Sequence, residues 1–438
     1  MRIYGGTDYM LKMEENDYGK RKYQIVPLPK EKWEGTVIPM RYTTSEYYDV
    51  EVTGEESGSE KSGFYVIINK KEFDVPVSHY PEEYDFPDKL YQEFWEKAYA
   101  WGVLRSKTDG KLYAGAVDRE KTGPEEWEMI ACIETCPEEW SNRLRVTELW
   151  VHEDYRRQGM AHELMAVARE QARLERRRAL ILETQSCNEG AISFYLQEGF
   201  TLIGFDSCCY NNRDLERKEV RLELGILLNH PPKLKREEVE IRPEREEDYD
   251  ATEEMTMHAF WNKHHRGCNE HLLVHKMRKA DCYLPQFSRI AVKDGRVIGC
   301  IMYSRAWLMK GKDKKEILTF GPLCVEPEWH GTGVGEMLLK ETIELARTAG
   351  ETGVVIFGEP DYYPRRGFVT CDKLGITTAD GGNSEAFLGY ELAPGELKAF
   401  GGSFCEPEVF EDLPPEETEK LTKKFPPMQK QFFPGQWD

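Results

Sequence analysis

The chain has 438 residues, 40% of them hydrophobic and 32% charged, and a formal net charge of −20 at pH 7. That length exceeds one ordinary core and points to two or three domains, while the acidic balance speaks against general nucleic-acid binding and for attraction of cationic partners. No stretch approaches the roughly 20 uninterrupted apolar residues of a membrane helix, the N-terminus lacks the apolar core of a signal peptide, and eleven cysteines without CxxC pairs read as buried thiols in a reducing cytoplasm.

Residues 1–40 are polar and irregular, punctuated by Pro27, Pro29 and Pro39, and read as a loosely packed arm ahead of a first domain over 41–229. Runs 47–52 and 64–68 flank a Gly/Glu/Ser segment and form a hairpin expected to open the first sheet. A short helix start follows over 90–95. Runs 98–104 and 112–117 read as a hairpin across Thr108-Asp109-Gly110-Lys111. Residues 119–139, rich in Glu and carrying Pro124 and Pro137, read as a surface excursion. The apolar strand 144–151 then runs into Arg156, Arg157, Gln158, Gly159, Met160 and Ala161 and an amphipathic helix ending near Arg177. A strand over 179–183, a short helix behind Asn188, and strands over 202–205 and 220–228 complete the domain. Residues 230–238, with adjacent Pro231 and Pro232 and no apolar periodicity, make a linker.

From Val239 the grammar begins again, and 239–400 reads as a second domain. Helices reach to about Lys263 and over 270–279, and strands 288–293 and 296–303 flank the hairpin signal Asp294-Gly295. Strand 317–325 leads into His330, Gly331, Thr332, Gly333, Val334 and Gly335. Gly333 lies 174 residues after Gly159, and Tyr362-Tyr363 with Gly367-Phe368 repeats Phe194-Tyr195 and Gly199-Phe200 at an offset of 168. Two checkpoints at nearly one offset indicate an internal repeat. A closing strand spans 386–392. The tail 401–438 carries a helix over 415–424 and an aromatic end at Phe432, Phe433 and Trp437, which suggests docking on the protein or on a second copy in a homodimer.

Strand, glycine turn, helix and strand form a βαβ-like unit with an anion site at the crossover. The turn lets N–H groups point outward together with the positive end of the helix dipole, which suits a pyrophosphate, and Arg156 and Arg157 add fixed charge. Arg169 and Arg173 either add to that charge or form a solvated helix face. Arg156-x-x-Gly159-x-Ala161 behind a strand ending at Val151, followed by Asn188, Ala191, Phe194-Tyr195 and Gly199-Phe200, resembles the acetyl-CoA motif of the GNAT N-acetyltransferases. Segments 140–143, 182–185 and 204–206 are similar to the streptothricin-type branch. The resemblance covers roughly residues 90–228, about a third of the chain, and the second half resembles another GNAT domain. It implies an α+β fold of two tandem GNAT-like domains, each a mixed, mostly antiparallel sheet with flanking helices, and acetyl-CoA as acetyl donor. It also implies a splayed strand that admits the pantetheine and offers a backbone N–H near Trp150 and Val151 to the oxyanion.

Acyl transfer to an amine needs a proton acceptor and a proton for the departing thiolate. Glu148, three residues before Val151, is the candidate base, against a reading as a strand-edge ion pair. Tyr195 is the candidate acid, against a buried tyrosine bonded to a carbonyl; the resemblance implies the same role. Asn188 either contacts the pantetheine or phosphate arm or caps a helix. In the second half Tyr363 is the matching acid, and Val325, His330, Gly331, Thr332, Gly333, Val334 and Gly335 the matching cofactor cradle. There are departures: His330 stands where the family has Gln or Arg, no acid replaces Glu148 in Phe320-Gly321-Pro322-Leu323, and Asn188 has no counterpart. The second copy therefore either catalyses or frames the first. His258, His264, His265, His271 and His275 read as a polar helix face rather than metal ligands. The expected reaction is direct acetyl transfer to a primary amine of a cationic small molecule of the antibiotic or polyamine type. The alternatives are a protein N-acetyltransferase and a non-catalytic CoA-binding sensor or scaffold.

Overall fold

The computed structural model describes residues 23–54, 64–80, 87–114, 122–228 and 231–436. The chain divides into two units, Met1–Asn229 with Gln431–Pro434, and His230–Lys430 with Gly435–Asp438. The expectations for residues 1–22, the hairpin tip over 55–59, the strand end and excursion start over 115–121, His230 and Trp437 lie outside the described residues.

In the first unit the elements run β1 (Ile25–Pro27), α1 (Lys30–Trp33), β2 (Tyr42–Gly54), β3 (Phe64–His79), β4 (Tyr99–Ser106), β5 (Trp127–Glu138), β6 (Arg143–Val151), α2 (Met160–Leu174), β7 (Ala179–Gln185), α3 (Glu189–Gln197), β8 (Thr201–Asp206), α4 (Asp214–Arg217) and β9 (Arg221–Leu227). Seven strands form one sheet in the order β1-β4-β5-β6-β7-β9-β8, antiparallel except where β6 meets β7. The apolar stripe of α2, Met160, Leu164, Val167, Ala168 and Ala172, buries against Leu144, Val146, Leu180 and Leu182. Phe433 from the chain's end is buried in this same core. The opposite face is covered by Leu28, Trp33, Ile38, Leu90 and Tyr91 around Trp150.

Several local expectations are corrected by this packing. Residues 23–40 are no loose arm: β1 pairs with β4, and Leu28, Trp33 and Ile38 are buried. Three prolines misled because β1 is an edge strand, where a missing donor costs no ladder bond. The hairpin does not open the first sheet; β2 and β3 make a separate two-stranded ribbon. Residues 90–95 form turns, with Tyr91 at φ +58°. Leu112 meets Arg105 only in an isolated bridge. The true partner of β4 is β5, the supposed excursion, whose run from Met129 to Ile133 is buried. Charged residues at both ends of β5 hid a central strand.

The second unit repeats the plan with β10 (Glu240–Arg242), α5 (Tyr249–Phe260), α6 (Glu270–Met277), β11 (Arg289–Lys293), β12 (Arg296–Lys310), β13 (Asp313–Val325), α7 (Val334–Thr348), β14 (Gly353–Phe357), β15 (Val369–Thr370), β16 (Ile376–Thr377), β17 (Phe387–Glu391), α8 (Glu396–Phe400), β18 (Gly402–Cys405) and α9 (Pro415–Thr422). The sheet order is β10-β11-β12-β13-β14-β17-β15, with β18 pairing β12 and β16. Asp294 and Gly295 both take positive φ, +49° and +77°, as a tight hairpin turn requires. Two boundaries move relative to expectation. Residues 402–405 belong to this sheet rather than to the tail, and Leu234 of the linker donates its N–H to the Thr332 carbonyl at 2.9 Å.

Candidate active site

In the first unit β6 and β7 are in register only from Arg143↔Ala179 to Val146↔Leu182. Beyond that point β7 continues along β9 and β6 along β5, where the register shift between Glu134 and Thr135 leaves Thr147 as a bulge. The two parallel strands therefore part company from Thr147 onward. The His152 N–H donates to the Ile130 carbonyl, on the β5 side. Strand alternation then turns the N–H groups of Leu149 and Val151 toward the opening, and that of Trp150 away from it.

At the end of β6 the chain turns through Arg157 at φ +60° and Gly159 at φ +86° into α2. A Cβ on Gly159 would meet no atom within 4 Å, so the constraint is conformational and the space above the turn is open. The first return bond runs from the Glu163 N–H to the Gly159 carbonyl at 3.0 Å. The N–H groups ahead of it are left at the positive helix end, a fit for a pyrophosphate. Arg156 is used otherwise than the sequence suggests: its Nε donates to the Val151 carbonyl at 3.1 Å and its Nη2 to the Arg41 carbonyl at 3.0 Å. It fastens the turn. Arg157 and Gln158 are exposed, Gln158 donating to the Asp154 carbonyl at 3.1 Å, while Met160 is core and Ala161 half-buried. Arg169 and Arg173 are ion-paired with Glu198 and Glu170, so neither adds free charge to the cradle.

Glu148 is buried on the face of β6 that carries Trp150, directly opposite Glu134 of β5 in the ladder. Cross-strand neighbours of this kind stand about 5 Å apart at Cβ. Glu134 is fully held, accepting the Tyr91 N–H at 2.6 Å and the Thr147 hydroxyl at 2.8 Å. Burial, then the charges of Asp88 and Glu134, push the Glu148 carboxyl well above the usual range, with a Gln92 hydrogen bond opposing. Burial likewise raises Asp88 and Glu134. Two further acids that resist ionisation thus lie within electrostatic reach of Glu148. Tyr195 lies on α3, buried, its hydroxyl raised by burial and by the Glu148 charge. The two candidate groups act on each other electrostatically, and the phenol stays protonated through neutral pH. Asn188 caps α3, its side chain accepting the Ala191 N–H at 3.3 Å. Glu134, Asp88 and Gln92 escaped the sequence reading; the one available signal was a Glu within the apolar run of β5.

The β2–β3 ribbon borders the same region. The Tyr48 N–H donates to the Ser186 carbonyl at 2.9 Å, the Tyr42 hydroxyl to Gln185 at 2.5 Å, and Lys70 Nζ to Glu189, in the first turn of α3, at 2.9 Å.

The second unit reproduces the turn. Gly331 and Gly333 have φ of +79° and +96°, and the Met337 N–H returns to the Gly333 carbonyl at 3.0 Å. His330 Nε2 meets the Val325 carbonyl at 2.8 Å, the same fastening that Arg156 supplies. Thr332 is buried, with its hydroxyl on the Trp329 carbonyl at 2.7 Å. Val334 is core, and the Tyr362 hydroxyl lies over Gly335. Tyr363 is buried beside Phe320 and Phe368, with its hydroxyl raised chiefly by burial. Of the histidines, His271 Nε2 meets the Thr422 hydroxyl at 2.9 Å, His275 meets Glu253 at 2.9 Å and His258 meets Glu326 at 3.1 Å.

Comparison with known proteins places these features in context. The model of the acetyltransferase (GNAT) family matches residues 73–200 and again 240–369. The chain is 34% identical over 99 residues, 23% of its length, to the uncharacterized N-acetyltransferase YjhQ of Escherichia coli strain K12, spanning about half (55%) of that relative. It is 28% identical over 130 residues, 30% of its length, to the uncharacterized N-acetyltransferase YhbS of the same strain, spanning 76% of it. The crystal structure of nourseothricin acetyltransferase is similar at 20% identity and a TM-score of 0.33, over 47% of this chain and 99% of that one. Among the described residues no helix is long and apolar enough to cross a membrane.

Proposed function

The chain belongs to the acetyltransferase (GNAT) family, and from that premise we propose that its first unit moves an acetyl group from acetyl-CoA to a primary amine of a cationic small molecule by direct attack. The observation that carries this reading is the parting of β6 and β7 after Val146, with Glu148 buried on β6 just beyond that point and its charge felt by the Tyr195 hydroxyl. Acetyl-CoA supplies the activated acyl carbon. The turn around Gly159 and the start of α2 hold its pyrophosphate, and the strand opening admits its pantetheine. Glu148, directly or through water, accepts the proton that the attacking amine must lose. The N–H groups of Leu149 and Val151 face the negative charge that gathers on the carbonyl oxygen. Tyr195 donates a hydrogen bond and then its proton to the departing sulfur, a step uphill from a phenol of reference pKa about 10 to a thiolate of about 8.5 that reprotonation of the phenolate from solvent completes.

The acid group of Asp88, Glu134 and Glu148 supports a cationic acceptor, because an ammonium arriving among three carboxyls relieves their mutual repulsion and hands over its proton in place. The second unit holds coenzyme A at its 331–335 turn by the same backbone arrangement. We place the protein in the cytoplasm, a reading supported by its free thiols.

Release of free thiol from acetyl-CoA tests the reading against polyamines, aminated antibiotics and basic peptides. Small polycations should be the best acceptors. Preference for peptides would shift the assignment to protein acetylation, and no release with any amine would leave a coenzyme-binding scaffold.

A further inference from the structure

In the second unit the β12–β13 ladder sets Cys300 opposite Cys324, matching Cys132 opposite Trp150 in the first. Two positions further along each strand, where the first unit has Glu134 and Glu148, the second has Met302 and Pro322. Neither can take a proton. The same face is also physically closed. A Cβ on Gly321 would lie 2.7 Å from the Phe410 ring, and Val409, Phe410 and Leu413 pack with Met302, Leu273 and Val274.

The closing segment is firmly held. On one side Ser403, Phe404 and Cys405 pair with Met309, Leu308 and Trp307 of β12. On the other, Lys276 Nζ is 2.8 Å from both the carbonyl and the carboxylate of Asp412. Further on, Trp261 Nε1 and Asn262 Nδ2, in the loop between α5 and α6, each donate to the Gln429 carbonyl at 2.9 Å. The chain from Cys405 onward thus crosses the part of the sheet that corresponds to the Glu134–Glu148 pair of the first unit. The 331–335 turn lies at the end of β13 and is left uncovered on its outer side, with no atom within 4 Å of a Cβ at Gly331.

We propose that the second unit holds a coenzyme A thioester without discharging it, because its own C-terminal segment, with Phe410 seated on the bulge at Gly321 and Pro322, fills the approach an acceptor amine would need. The proposal rests on the reading of the 331–335 turn as a coenzyme A cradle. It makes Tyr363 an acid without a base, and it assigns all acetyl transfer to the first unit. The second site is then a place where the cofactor is sensed or stored.

Calorimetric titration of the full chain with coenzyme A, paired with thiol release from acetyl-CoA plus a polyamine, tests this. Wild type should bind two equivalents. Gly159→Val, which cannot hold φ +86° without strain, should bind one, and release should fall at least about 100-fold. Glu148→Gln combined with Tyr195→Phe keeps both turns, and should bind two equivalents with the same loss of release; it decides the matter if Gly159→Val does not fold. Release above about a hundredth of wild type in either variant, or wild type binding one equivalent, overturns the proposal. A wild-type chain that binds two equivalents but releases no thiol would instead sink the transfer reading of the first unit.

Discussion

Glu148 and Glu134 face each other across two adjacent strands, a placement that costs stability wherever both ionise. The folded value of Glu148 lies above the unfolded one of about 4.3. The native state therefore holds that proton more tightly, and the stabilisation present below the unfolded value is lost as pH rises toward the folded one. Glu148→Gln should accordingly be more stable than wild type at neutral pH and above, by about 1–3 kcal/mol in urea unfolding, with the gap closing as pH falls; a gap that does not vary with pH contradicts this. In catalysis the same shift puts the rising limb of kcat/KM above the ordinary carboxylate range. Removing a like charge lowers the Glu148 value, so Glu134→Gln should move that limb to lower pH. Tyr195→Phe should slow thiol release about 100-fold or more while the affinity for coenzyme A changes little, as the proposed role of its hydroxyl at the leaving sulfur requires.

Each unit is organised around one strand, one left-handed glycine and one helix, yet the flanking elements differ. The second unit covers the outer face of its sheet with α5 and α6, α5 meeting Cys300 and Cys324 through Thr256. The first uses the irregular stretch from Leu28 to Ile38 and the turns around Tyr91. That substitution supplies Tyr91 and Gln92 to the acid group, something a continuous helix could not do with the same backbone N–H. Trp33 anchors the stretch, buried, with its Nε1–H on the Thr122 carbonyl at 2.8 Å. Trp33→Ala should cost about 3–5 kcal/mol, read as a lowered midpoint in urea, and should also raise KM for the amine more than that for acetyl-CoA. Equal effects on both would detach this stretch from the acceptor side. Asn188→Ala removes the cap of α3 and should cost about 1 kcal/mol.

At the scale of the whole chain, the proposed function asks a protein of net charge −20 to admit an anionic donor and a cationic acceptor. In the proposed reading the donor is met chiefly by backbone dipoles, with the exposed Arg157 beside them, since Arg156, Arg169 and Arg173 are engaged within the protein. Backbone N–H groups that touch the pyrophosphate act at contact range, whereas long-range attraction of a polycation is screened over about 8–10 Å at physiological salt. Raising salt from 50 to 500 mM should therefore raise KM for a polyamine several-fold and leave KM for acetyl-CoA within about two-fold. Parallel shifts in both constants would show that no such division of labour exists.

What the sequence by itself determined is the part written in short-range signals. A glycine between a strand and an amphipathic helix needs only local sterics to be read, and so does the hairpin at Asp294-Gly295; repetition of the pattern made the duplication and the GNAT family legible in both halves. Register, closure and charge were decided by the tertiary structure. Whether Glu148 meets Glu134, whether Arg156 points at a phosphate or ties down its own loop, and whether residues 127–138 form a central strand all depend on contacts between segments far apart in the chain. So does the placement of Phe410 over Gly321, for which nothing near either residue gives a sign, because burial and partner choice are properties of the assembled core.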